Sequence, residues 1–148
     1  MNHRQIGRCG ELLVQYKLLL LGIESAPMTT DSGIDLAAFS ATDHKVLTIQ
    51  VKANEQPKRG GGKGRLALDW WIDARCPAEA AAMVDLSTNT VWVFTMLEVA
   101  KFAQQHSSGR HHLYMYVDPK VALRSGRLAR VSDFDAFLLE RRLAGLFA

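Results

Sequence analysis

The apolar residues recur with different periods along the chain, and each period predicts a different element. From Arg4 to Leu21, the residues Ile6, Cys9, Leu13, Tyr16 and Leu20 return every three or four positions, which draws a stripe along one helix. Gly22 ends it. Leu12, Val14, Leu18, Leu19 and Leu21 widen the stripe, so this helix is expected to pack on more than one side. The stretch from Pro27 to Gly33 is rich in Thr, Asp, Ser and Gly and reads as a turn, and Ile34 to Phe39 reads as the strand it delivers. After a polar connection from Ser40 to His44, the segment Lys45 to Ala53 alternates, with Leu47, Ile49 and Val51 on one face and Val46, Thr48, Gln50 and Lys52 on the other.

Gln56 to Gly64 holds Pro57 and three consecutive glycines, which predicts a mobile loop without regular structure. Leu66 to Ile72 reads as extended, and Ala80 to Leu86 and Thr90 to Thr95 as two strands joined through Ser87, Thr88 and Asn89. Helical spacing at Leu97, Ala100 and Phe102 predicts a helix over Met96 to His106, with a short strand from Leu113 to Val117. Ser132 to Leu146 reads as a closing helix: Ser132 as N-cap, Asp133 and Asp135 in the first turn, and Phe134, Phe137, Leu138 and Leu143 inward. There is no internal repeat. A helix, several strands, a helix and a C-terminal helix predict an α/β sandwich around a mixed central sheet.

Composition narrows this further. With 148 residues, 48% of them hydrophobic, the chain can bury one core, and a single domain over 1–148 is expected. A formal charge of +3 is compatible with a polyanionic partner without requiring one. Cys9 and Cys76 lack the spacing of a zinc or redox pair and are too few for a disulfide framework, so a reducing cytoplasm is the simplest setting. The longest apolar run, Leu18 to Ile23, is far too short for a membrane span, and no export signal is expected.

Three polar groups occupy positions where a buried strand prefers apolar ones: Asp35 in Ile34-Asp35-Leu36, and Gln50 and Lys52 in Ile49-Gln50-Val51-Lys52. One reading is an ordinary salt bridge between Asp35 and Lys52 on neighbouring strands. The other is phosphodiester hydrolysis, which needs a divalent cation held by one or two carboxylates plus waters. Asp35 would then be the main ligand, with the Gln50 side-chain oxygen and a backbone carbonyl near Val51 completing the set. Lys52 would orient the attacking water and offset charge developing on phosphorus, and Glu11 would add a second carboxylate from the first helix.

Gly10-Glu11-Leu12-Leu13-Val14 on a helix, then Gly33-Ile34-Asp35-Leu36, then Ile49-Gln50-Val51-Lys52-Ala53, together resemble the PD-(D/E)xK endonuclease superfamily. The branches most similar are the Holliday-junction-resolvase-like nucleases and the small nucleases of the group I intron homing type. Ala82-Met83-Val84-Asp85-Leu86 followed by Val91-Trp92-Val93-Phe94 resembles the sheet hairpin after the active site in these proteins, so the likeness covers roughly the first 105 residues. It implies a restriction-endonuclease-like α/β core of the order αβββαβ, with a mixed central sheet flanked by helices. It also implies a Mg²⁺- or Mn²⁺-dependent DNA endonuclease. Asp35 takes the metal-binding position, Gln50 the usual Glu or Asp position, Lys52 the catalytic position and Glu11 that of the accessory acid, while no Pro precedes Asp35.

Gln50 supplies an oxygen without charge, so an inactive nuclease-fold module for DNA binding or protein interaction is the alternative. Double-stranded or branched DNA is the expected partner, and a duplex substrate favours a homodimer or higher homo-oligomer. Lys58, Arg59, Lys63 and Arg65 surround the glycine run and read either as phosphate contacts or as a solvated loop. Of the adjacent Trp70 and Trp71, one should point inward and one outward, where it would stack on a base or join a subunit interface. Neighbouring His111 and His112 face opposite ways on a strand, cannot share one ion and read as surface residues. The basic character contributed by Arg124, Arg127, Arg130, Arg141 and Arg142 fits either a DNA surface or a soluble helix.

Overall fold

A reciprocal capping box starts the first helix, α1 (His3–Leu20): the Asn2 side chain accepts from Gln5 N at 2.9 Å while the Gln5 side chain accepts from Asn2 N at 2.9 Å. It stops at Gly22, whose φ of 82° lets Ile23 N reach back to Leu18 O at 2.9 Å. In this computed structural model, which describes residues 1–30 and 32–148, the remaining elements follow in chain order. They are β1 (Glu24–Pro27), β2 (Leu36–Ser40), β3 (Lys45–Asn54), β4 (Lys58–Arg59), β5 (Leu66–Asp73), β6 (Ala80–Asp85), β7 (Thr90–Thr95), α2 (Met96–Phe102), β8 (Gln105–Ser107), β9 (Arg110–Tyr116) and α3 (Leu139–Leu146).

Five strands form a mixed sheet in the order β1-β2-β3-β6-β7, antiparallel except where β3 runs parallel to β6. β6 is buried along its whole length because it has a layer on each side, so its side chains divide between two cores. On one side Ala82 and Val84 meet Val14 and Leu18 of α1, Ile49 and Val51 of β3, and Leu139 and Phe147 at the C-terminus. On the other, Ala81 and Met83 meet Leu68, Trp70 and Ile72 of β5, Leu113 and Met115 of β9, and Phe134. A second sheet, β4-β5-β9-β8, closes that second core.

Several boundaries differ from the sequence reading. The buried stripe of α1 is Gly10, Val14 and Leu18, whereas Tyr16 and Leu20 are exposed, because α1 lies on the sheet along one narrow line. Asp35 precedes β2 instead of lying within it, and the expected turn over 27–33 includes Asp31, which lies outside the described residues. Thr95 caps α2 through a second capping box, but α2 ends at Phe102 and β8 follows, since Gln105, His106 and Ser107 pair with β9. The C-terminal segment is a 3₁₀ stretch (Val131–Phe137) and then α3, broken at Leu138, whose ψ of 136° is extended. Ser132 therefore caps nothing; the Asp133 carboxylate accepts from Arg130 N at 2.9 Å instead.

Candidate active site

Asp35 reaches the site because the chain crosses to β3 just before β2 begins. Asp35 N donates to Ile49 O at 2.9 Å, and the Asp35 carboxylate oxygen Oδ2 accepts from Val51 N at 2.7 Å. The sheet register pairs Leu36 with Ile49 and goes no further, so β3 continues past the end of β2. In an extended strand the N–H and C=O of one residue point to the same edge. The Val51 carbonyl therefore faces the same gap as the Asp35 carboxylate.

Gln50 and Lys52 leave β3 on the face away from α1, opposite to Ile49 and Val51. The Cys76 thiol lies 3.1 Å from Gln50 Oε1 and 3.3 Å from Gly33 O, so its one proton is shared between the amide oxygen and the loop leading to Asp35. Gly33 has φ 86°, and a side chain there would start 3.0 Å from Pro77, so this crossing requires glycine. Cys76 was invisible as a partner for Gln50 in the sequence because 26 residues separate them. Lys52 is half-buried and, among the described residues, has no carboxylate partner. The salt-bridge reading of Asp35 and Lys52 is thus not realised: the aspartate is held by a backbone amide.

Glu11 arrives from the opposite face. Gly10 presses α1 onto β3 so closely that a Cβ there would lie 2.7 Å from Ala53 Cβ and 3.3 Å from Val51 Cγ1. Glu11 follows it in the chain, but its carboxylate is bridged by Arg8 Nη1 at 3.0 Å. Asp35 is bonded to the Val51 backbone, Gln50 is tied through Cys76 to the loop leading to Asp35, and Lys52 is next along the strand, whereas Glu11 is drawn to its own helix. Oxygen donors alone, with one carboxylate at the centre, fit a hard cation that keeps much of its water. Among the described residues no three His, Cys, Asp or Glu side chains converge.

The basic cluster is more ordered than the glycine run implied. Lys58 and Arg59 form β4 against Leu66 and Ala67, and Gly64 N closes a tight turn on Gly60 O at 2.8 Å. Lys58, Arg59, Lys63 and Arg65 are all exposed. Asp85 is buried and accepts from Ser87 N, Ser87 Oγ and Thr88 Oγ1, which fixes the β6–β7 turn.

No protein-family model matches the chain, and no curated protein does. Solved structures do match it. A bacterial homing endonuclease, I-Ssp6803I, aligns over 97% of this chain and 93% of its own with a TM-score of 0.63 and 11% sequence identity. Hjc, a Holliday junction resolvase from the archaeal hyperthermophile Archaeoglobus fulgidus, aligns over 94% and 95% with a TM-score of 0.57 and 13% identity. The fold is restriction-endonuclease-like. That nuclease fold takes in nearly the whole chain, including the part after about residue 105, where the sequence alone carried no resemblance. Among the described residues no helix is long and apolar enough to cross a membrane.

Proposed function

We propose that this chain is a Mg²⁺- or Mn²⁺-dependent endonuclease of the PD-(D/E)xK type that hydrolyses DNA phosphodiester bonds. The observation that supports the reading is the 2.7 Å bond from Val51 N to the Asp35 carboxylate, which brings Asp35 to the edge of β3 just before β2 begins. Asp35, Val51 and Gln50 would hold the ion, with Glu11 supplying a second carboxylate once released from Arg8. A bound divalent cation supplies charge neutralisation at phosphate and a more acidic water. Lys52, with no carboxylate partner among the described residues, would donate to that water or to the phosphate and balance the negative charge that grows on phosphorus. Cys76 keeps the Gln50 amide oxygen from rotating away. Lys58, Arg59, Lys63 and Arg65 would meet the DNA backbone, a contact weakened by salt.

Cutting both strands of a duplex would favour a homodimer, one site per strand. Leu12, Tyr16, Leu19 and Leu20 expose an apolar stripe along α1 of the kind that subunit contacts cover, and sedimentation would read the assembly directly. The test of activity is purified protein with Mg²⁺ or Mn²⁺ on plasmid, linear and branched DNA. Asp35→Asn and Lys52→Ala should each lower cleavage by about 100-fold or more. Equal cleavage by the wild type and both variants would sink the assignment.

A second reading draws on two observations, the neutral Gln50 and the Arg8 bridge that occupies Glu11. On that reading the fold binds DNA or a protein partner without cutting. Calorimetry separates the two, since the second requires that neither ion binds even when DNA is present.

A further inference from the structure

The outer face of the second sheet carries an aromatic ladder that the proposed hydrolysis does not use. β9 alternates, burying Leu113 and Met115 while His112, Tyr114 and Tyr116 turn outward, and Trp71 of β5 lies beside them. The Trp71 and His112 rings stack at 4.0 Å and 3°, His112 to Tyr114 measures 5.7 Å, and Tyr114 to Tyr116 measures 5.2 Å. Arg110 covers Trp71 at 4.6 Å, so that end of the ladder is already occupied. The tyrosine end is not: Tyr114 and Tyr116 line a groove of about 450 Å³ whose other wall is the basic turn, including Lys58, Arg59 and Arg65. Among the described residues those three cations have no carboxylate partner.

The carboxylate lining the groove, Asp69, is already engaged, accepting from or sharing a proton with His112 Nε2 at 2.8 Å. The Asp69 backbone is held on both sides by Asn54, whose Nδ2 donates to Asp69 O at 2.7 Å and whose Oδ1 accepts from Asp69 N at 3.2 Å. Asn54 shares its face of β3 with Gln50 and Lys52. The groove is therefore braced by the strand that carries the candidate active site.

We propose that this groove binds an unpaired stretch of nucleic acid, stacking bases on Tyr114 and Tyr116 and holding phosphates on Lys58, Arg59 and Arg65. Cations along one wall and ring faces along the other are the two components of single-strand binding. Bases inside a duplex stack on each other and cannot offer a face to tyrosine. The choice of DNA over RNA rests on the nuclease reading; the recognition of an unpaired strand does not. A nuclease so equipped would favour substrates with a frayed, bulged or branched strand beside the cut.

The test is fluorescence anisotropy of an end-labelled oligothymidylate in EDTA, where no hydrolysis occurs, with a duplex of equal length as competitor. Wild type should bind the single strand in preference to the duplex. Tyr114→Ala and Tyr116→Ala should each weaken it by roughly 5- to 150-fold, while Tyr116→Phe, which keeps the ring, should stay near wild type. Arg59→Ala should reduce the salt dependence by about 0.7 in the log–log slope. Circular dichroism melts identify any variant that fails to fold. Binding that is no tighter for the single strand than for the duplex, or that survives loss of both tyrosine rings in folded protein, overturns the proposal. Single-strand binding in a protein that never cleaves would remove the nuclease reading and leave the groove standing.

Discussion

Two glycines on α1 make opposite predictions. Alanine is favoured over glycine inside a helix by about 1 kcal/mol, so on propensity alone Gly7→Ala and Gly10→Ala should both stabilise. Around Gly7 nothing lies within 4 Å of an added Cβ, and the gain should appear in full. At Gly10 the added carbon starts 2.7 Å from Ala53 Cβ and 3.3 Å from Val51 Cγ1, against the 3.5–4.0 Å at which carbons attract. The nearer contact must open by about 1 Å, and Ala53 Cβ has no rotamer with which to yield. Overpacking of this kind costs about 1 to 3 kcal/mol, which places the two variants apart by that amount whatever the exact propensity. For a chain of this length the melting temperatures should differ by roughly 2 to 12 °C, with Gly10→Ala the lower. Thermal unfolding followed by circular dichroism reads this directly. Cleavage by Gly10→Ala should also fall below that of Gly7→Ala, because Glu11 moves with the helix. Equal melting temperatures would show that α1 does not depend on close approach at Gly10, and the placement of Glu11 beside β3 would lose its support.

The remaining predictions concern other contacts. Arg142 grips Glu98 with two bonds of 2.6 and 2.7 Å, tying α3 to α2. Burial would raise the Glu98 pKa, but hydrogen bonds from Arg142 and from Thr95 outweigh it and hold the carboxyl below its ordinary value. Stability from this contact is therefore fully present above the unfolded pKa and disappears as pH falls through the lower folded one. Arg142→Ala should cost about 1 to 3 kcal/mol near neutral pH and flatten the acid limb of the stability profile, as measured by urea titration across pH. Cys76→Ala should lower the cleavage rate with little change in melting temperature by freeing the Gln50 amide, and Cys76→Ser, which restores a donor, should recover most of the rate. Asp85→Ala removes three bonds from a buried turn and should cost about 2 to 4 kcal/mol by denaturant unfolding, without a specific effect on nucleic-acid binding.

What the sequence determined by itself was local. Periodicity located α1, β3, β6 and β7 to within a residue or two, because each buries a face whose repeat is written in consecutive side chains. Asp35, Gln50 and Lys52 could be singled out because polar groups in apolar strands conflict with their surroundings, and Gly10 beside Glu11 could be quoted as a motif without its reason being visible. The tertiary structure decided what those residues touch. Only the approach of α1 to Ala53 explains Gly10, and only the start of β2 at Leu36 leaves Asp35 for the Val51 amide, so the alternative pairing with Lys52 does not form. Cys76 joined Gln50, and Tyr114 faced Lys58 and Arg59, across separations in sequence that no local pattern spans. The C-terminal third was least legible for the same reason. Its short strand, its 3₁₀ stretch and its final short helix are held by packing on the second core, and a segment stabilised mainly by distant partners leaves little periodic signal of its own.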